Sequence, residues 1–172
     1  MPDTATKHKF EVVIQAPIQD VWDEITRTDR PIPAFFNSQM HVRTLEPGQK
    51  LAMRTPNGRY TGVVGEITEY APPTRFAHTF RFTNLDDPPC VVVYDLESLG
   101  DGSTRFTLTI RDLPEGTKTA KQMVQGGTLI VNTLKAVMEN GRPGFGTRVL
   151  FGLFKVLQPV TPKRCRSENW PV

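Results

Sequence analysis

The chain has 172 residues, of which 38% are hydrophobic and 23% charged, with a formal net charge of +3. That length suits one domain able to bury a core without staples, and no run nears the ~20 consecutive apolar residues of a membrane span. Cys90 and Cys165 are too few for a disulfide framework and lack metal-ligand spacing.

The start, Met1-Pro2-Asp3-Thr4-Ala5-Thr6-Lys7, has no apolar signal core, so a cytoplasmic location is expected. Charge is unevenly placed. Up to Asn140 there are 15 Lys and Arg against 17 Asp and Glu, and from Gly141 onward 6 against 1. The basic character therefore belongs to the tail, a weak argument for nucleic acid. Nucleic acid is disfavoured further because basic residues do not interleave with aromatics on one sheet face.

Residues 9–15 have strand composition, with Phe10, Val12 and Ile14 alternating to one side. Ala16-Pro17 stops that strand, and Pro17 suits the first turn of a helix over 17–27. Val21, Trp22 and Ile25 give this helix an apolar stripe, while Gln19, Asp20, Asp23 and Glu24 are assigned to water. Ala34-Phe35-Phe36 reads as a short second helical turn or an apolar cap.

Strands are expected over 39–45, 50–55, 60–70, 75–83, 90–99 and 104–113, divided by turn signals such as Pro47-Gly48, Pro56-Asn57-Gly58 and Gly100-Asp101-Gly102. A long amphipathic helix follows over 117–140. Its apolar residues, among them Met123, Gly127, Ile130, Val131 and Leu134, recur at three- and four-residue steps. Gly141 closes it as a cap, with Pro143 beyond. Gly126-Gly127 costs about 1 kcal/mol per glycine relative to alanine, so close packing against the sheet or a ligand must compensate. An antiparallel sheet with one long helix must curl around it to find a core, and the space between them is where a site is sought.

Strand alternation selects an inner face. Phe76, His78, Phe80 and Phe82 share one side of their strand, and Val92 and Tyr94 share one side of the next. Phe106 and Leu108 do so on the last strand, and Leu51 and Met53 add a wall. Trp22, Phe36, Met123, Gly127 and Ile130 complete the candidate ligand-binding set. His78 is the most suggestive polar member. It can orient a ligand carbonyl or move a proton near neutral pH, or it can be a core histidine satisfied by a backbone carbonyl or by Tyr94. No catalytic residue, metal site or cofactor is assigned. The sequence holds no nucleophile elbow, metal triad or phosphate-binding loop. Cys90 heads an apolar strand and reads as a buried, inert thiol, whereas Cys165, among basic residues, reads as the more reactive one.

Several pieces together resemble a known family: a first strand ending in Ala16-Pro17, then Val21-Trp22, then Gly65-Glu66-Ile67-Thr68-Glu69-Tyr70-Ala71-Pro72-Pro73-Thr74-Arg75-Phe76. The long helix, with its central glycine pair and its end at Leu134-Lys135-Ala136-Val137-Met138-Glu139-Asn140-Gly141, completes them. Residues 7–141 are similar to the START-like (SRPBCC, Bet v 1-like helix-grip) superfamily, in particular bacterial relatives of the heat-shock ATPase activator C-terminal domain. The resemblance implies an α+β helix-grip fold. In it a curved antiparallel sheet of seven strands wraps a long C-terminal helix, with two short helices after the first strand. It also implies a cavity for an apolar or aromatic small molecule. Carriers for lipids and hormones, polyketide cyclases and aromatases belong to this superfamily. The leading expectation is a binding protein (carrier, sensor or sequestering protein). A cavity-based cyclase, aromatase or hydrolase and a chaperone co-factor-like interaction module are the alternatives. Many relatives place an aromatic after the central glycine, where this chain has Thr128, which implies a larger or more polar cavity.

Residues 1–141 are thus assigned to the helix-grip domain and 142–172 to a basic extension. In the extension, residues 143–157 carry Phe145, Val149, Leu150, Leu153, Phe154 and Leu157 at helical spacing, with Pro143 to start a helix and Pro159 and Pro162 to end it. The expectation is a helix docked through Phe145, Val149, Leu153 and Phe154. Its partner is the domain's own sheet, a second copy in a homodimer, or a membrane surface.

Overall fold

A computed structural model describes residues 7–172. The alternating apolar residues at the start form β1 (His8–Ile14), and α1 (Ile18–Thr26) follows Pro17. After a 3-10 turn over Pro33–Phe35 come β2 (Gln39–Val42), β3 (Lys50–Arg54), β4 (Thr61–Ala71), β5 (Arg75–Phe82), β6 (Cys90–Ser98) and β7 (Thr104–Arg111). The strands make one antiparallel sheet of seven in the order β1-β7-β6-β5-β4-β3-β2. The α+β helix-grip architecture is the expected one.

The long helix is α2 (Lys118–Asn140), and both its ends are chemically closed. Thr117 caps the start by accepting a hydrogen bond from the Ala120 N–H at 3.1 Å. Gly141 ends it in the left-handed region at φ 75°, its N–H donating to the Val137 carbonyl at 2.8 Å. The helix lies across β1, β7 and the 3-10 turn. Its glycine pair is explained by packing: a Cβ on Gly127 would sit 2.3 Å from the Phe10 ring of β1, and one on Gly126 would sit 3.3 Å from the Phe36 ring. Close approach to these aromatic walls offsets the poor helix propensity of the two glycines.

Four expectations are corrected. Glu24 of α1 is buried rather than facing water, because Arg27 comes to it at 2.8 Å and lets the carboxylate leave solvent paired. Thr128 is exposed, so its small polar side chain does not enlarge the interior. Cys165 is buried, which shields the thiol that its basic neighbours were expected to make reactive. The fourth concerns the tail. Helix α3 (Phe145–Leu157) forms as expected, but no residue of it is buried and Phe145, Val149, Leu153 and Phe154 are all exposed, so of the three expected partners the domain's own sheet is the one excluded.

Docking of the tail is done instead by the irregular segment after α3. The Ser167 N–H donates to the Arg59 carbonyl at 2.9 Å, and Arg166 forms an isolated bridge with Tyr60. Arg54 donates to the Trp170 carbonyl at 3.0 Å, the Arg81 guanidinium lies 5.9 Å from the Trp170 ring centre, and Arg164 pairs with Asp86 at 2.8 Å. These contacts pin the last residues to the outer face of β4 and β5.

Candidate functional site

On β5, β6 and β7 the period-two pattern turns Phe76, His78, Tyr94, Phe106 and Leu108 to the face that looks at the helices, and all five are buried. The rings of Phe76, His78, Tyr94 and Phe106 form one stack. Phe76 lies 5.8 Å from Tyr94 and 5.4 Å from His78 by ring centres, and Tyr94 lies 6.0 Å from Phe106. Trp22, Met53, Val92, Met123 and Gly127 are buried around this stack, Phe80, Phe82 and Ile130 are half-buried, and Phe36 is exposed.

The stack is closed from above by the chain between β1 and β2. Phe35 meets Tyr94 at 5.3 Å and Trp22 meets Tyr70 at 5.5 Å. Neither Phe35 nor Tyr70 was singled out from sequence. Tyr70 was hidden by a bulge, since the register of β4 on β5 shifts between Ile67 and Glu69. Ile67 and Tyr70 therefore share the inner face despite their three-residue spacing, and strict alternation misassigns one of them. Phe35 sits in a 3-10 turn, where no periodicity marks a buried side.

The inner face opens along β5 toward its C-terminal end. Phe80 and Phe82 meet edge to face at 4.9 Å, and Val63 of β4 pairs with Phe82 beside them. Two open surface pockets lie elsewhere. One of about 440 Å³ lies between the outer face of β4 and β5 and residues 169–172. The other, of about 450 Å³, sits among His8, Leu113, Ala120 and Val124, where β7 leads into α2.

The His78–Tyr94 pair is the polar centre of the stack. Nδ1 of His78 lies 2.7 Å from the Thr79 carbonyl, which can only accept, so Nδ1 carries the ring proton. Nε2 is then an acceptor, and the Tyr94 hydroxyl donates to it across 3.4 Å, a long and weak bond. Burial pushes His78 down to about 4, opposed only in part by the Thr79 carbonyl. Burial pushes the Tyr94 hydroxyl well above its ordinary value. Both groups are therefore neutral at pH 7 and resist ionising. Cys90, at the head of β6, is an inert thiol pushed up to about 11 by burial.

A pH dependence follows. The unfolded chain binds a proton on this imidazole below its ordinary 6.5, whereas the folded chain resists until about 4. Stability should therefore fall as pH drops through that window, by on the order of 3 kcal/mol in full. His41, also lowered by burial and by the Arg54 charge, acts in the same direction. The His78→Phe variant should lose less stability than the parent between about pH 7 and about pH 4.5, read from denaturant midpoints. Equal losses would mean that the ring is not held neutral by the fold.

The family described as "Activator of Hsp90 ATPase homolog 1-like protein" matches residues 15–139. No curated protein matches the chain. Among solved structures it is similar to an HSP90 activator from Plasmodium falciparum, at 18% identity and TM-score 0.58, covering 80% of this chain and 97% of that one. CalU16 from Micromonospora echinospora is similar at 18% identity and TM-score 0.61, covering 87% and 83%. The Aha1 dimer from Colwellia psychrerythraea is similar at 14% identity and TM-score 0.63, covering 79% and 98%. At these identities the structures share the fold. With the family match spanning α1 through the body of α2, the chain belongs to the Activator of Hsp90 ATPase homolog 1-like family.

Proposed function

We propose that this protein binds an apolar or aromatic small molecule against the inner face of its sheet, at the end of β5 where Phe80 and Phe82 remain half-buried. The observation that carries this reading is the continuity of one aromatic face. It runs from the sealed stack of Phe76, Tyr94 and Phe106 to rings that stay partly open to solvent. Half-exposed aromatic surface gains by burial against an apolar guest, at roughly 25 cal/mol per Å² removed from water. Binding is favoured over acid–base catalysis because both His78 and Tyr94 are held neutral near pH 7.

A saturable fluorescent apolar probe tests the proposal. The Phe80→Arg variant should weaken its binding by roughly tenfold or more, while a cooperative thermal melt shows that the chain still folds, since Phe80 is only half-buried. Equal binding to parent and variant would place the guest elsewhere. Native mass spectrometry of freshly purified protein should show a co-purifying small molecule and give its mass. Light scattering on the same samples reports whether the chain pairs with itself, as the description of the Colwellia protein states for that neighbour. A partner-binding role of the kind named for the Plasmodium HSP90 activator needs a broad exposed apolar face. Here the exposed large apolar side chains concentrate on α3, outside the residues matched to the family.

A further inference from the structure

The unpartnered surface of α3 has a definite pattern. At about 100° per residue, Phe145, Val149, Leu153 and Val156 fall within one arc of roughly 80°. These four side chains are between 51% and 76% exposed. Away from that arc, Thr147, Leu150 and Phe151 are half-buried, while Phe154 and Leu157 are less exposed than the four, at 44% and 48%. Arg148 and Lys155 lie together on one flank of the exposed arc, and the Arg148 guanidinium rests 5.8 Å from the Phe145 ring centre. Neither cation has an ion-pair partner among the described residues, and no Asp or Glu occurs from Gly141 to Ser167. The helix is held at both ends. Gly141 caps α2 before it, and after it the Asn57 side chain bonds Gln158 at 2.8 Å and Arg166 bridges Tyr60. It is a strap with its apolar side turned out.

We propose that α3 lies on an anionic lipid surface, with Phe145, Val149, Leu153 and Val156 among the acyl chains and Arg148 and Lys155 at the headgroups. Charge complementarity selects this occupant. The segment from Gly141 is basic, 6 Lys and Arg against 1 acid, and the rest of the chain is mildly acidic, 15 against 17. A negative surface therefore attracts the strap and turns the body away. Thirteen residues reach only about 20 Å as a helix, short of the ~30 Å hydrocarbon core, so the helix lies in the interface. No helix among the described residues is long and apolar enough to cross a membrane. A second copy fits less well. Antiparallel packing of two α3 helices about a two-fold axis brings Arg148 of one near Lys155 of the other, with no acid on either helix to separate them.

Sedimentation of the full chain with vesicles tests this, comparing phosphatidylcholine containing phosphatidylglycerol with phosphatidylcholine alone. Binding is expected to the first, weakened by added salt, with much less to the second. Arg148→Gln and Lys155→Gln should each weaken it roughly fivefold. The double variant Val149→Ser with Leu153→Ser should abolish it while the melting temperature holds, since both side chains are exposed. No binding to anionic vesicles, or equal binding by the Ser variant, overturns the proposal. So does a dimer that Leu153→Ser dissociates in a chain that ignores vesicles, which would make a second copy the occupant.

Discussion

Gly65→Ala is expected to destabilise the protein by about 3 kcal/mol and lower its melting temperature by roughly 6–12 °C. A methyl group at this position would stand 1.9 Å from the Thr79 backbone oxygen and 2.9 Å from its carbonyl carbon. Neither atom belongs to a side chain that can swing away, so β4 and β5 must separate. The same oxygen fixes the His78 ring through Nδ1 at 2.7 Å, and the Thr79 hydroxyl accepts from the Glu66 N–H at 2.9 Å. Strand displacement therefore disturbs the polar centre of the stack as well as the pairing. Gly62→Ala in the same strand is the control, because a Cβ there meets nothing within 4 Å. A thermal melt of Gly65→Ala within about a degree of the parent would show that the two strands do not approach so closely.

Phe76→Ala should cost about 3–5 kcal/mol, whereas Phe80→Ala on the same face of the same strand should cost less than half as much. Phe76 is fully buried and its ring meets Tyr70, His78 and Tyr94 at 6.0, 5.4 and 5.8 Å between centres. Removing it leaves a cavity walled by aromatic rings from two neighbouring strands, whose backbones are fixed by the ladder and cannot collapse inward. Phe80 is half-buried, so part of its surface is already hydrated and water can enter the space it leaves. Urea midpoints of the two variants measure the contrast directly. Similar costs would mean that the inner face is sealed to the end of β5, and the proposed opening would lose its basis.

The local elements were legible because their signals are local. Alternation in residues 75–83, 90–99 and 104–113 marks the inner face, and Phe76, His78, Tyr94 and Phe106 lie on it. Three- and four-residue spacing, a threonine cap and a closing glycine define α2, and the same spacing makes α3 a helix. Such patterns encode which side of an element is apolar. They carry no information about what that side meets.

Contacts between distant segments were decided by the tertiary structure. Trp22 and Phe35 come from the connection between β1 and β2, yet they meet Tyr70 of β4 and Tyr94 of β6 and cover the stack there. The bulge at Ile67 and Glu69 rotates Tyr70 inward because β4 must bend to follow the curved sheet. Glu24 can be buried only because Arg27 and Arg30 reach its carboxylate. Residues 158–170 dock through backbone bonds and single side chains in 3-10 turns, where no period announces a buried face. Once that segment is pinned to the outer sheet, α3 is held across the surface with its apolar arc in solvent. The amphipathic character of α3 is a property of its own thirteen residues, but its exposure is set by where its two ends are tied.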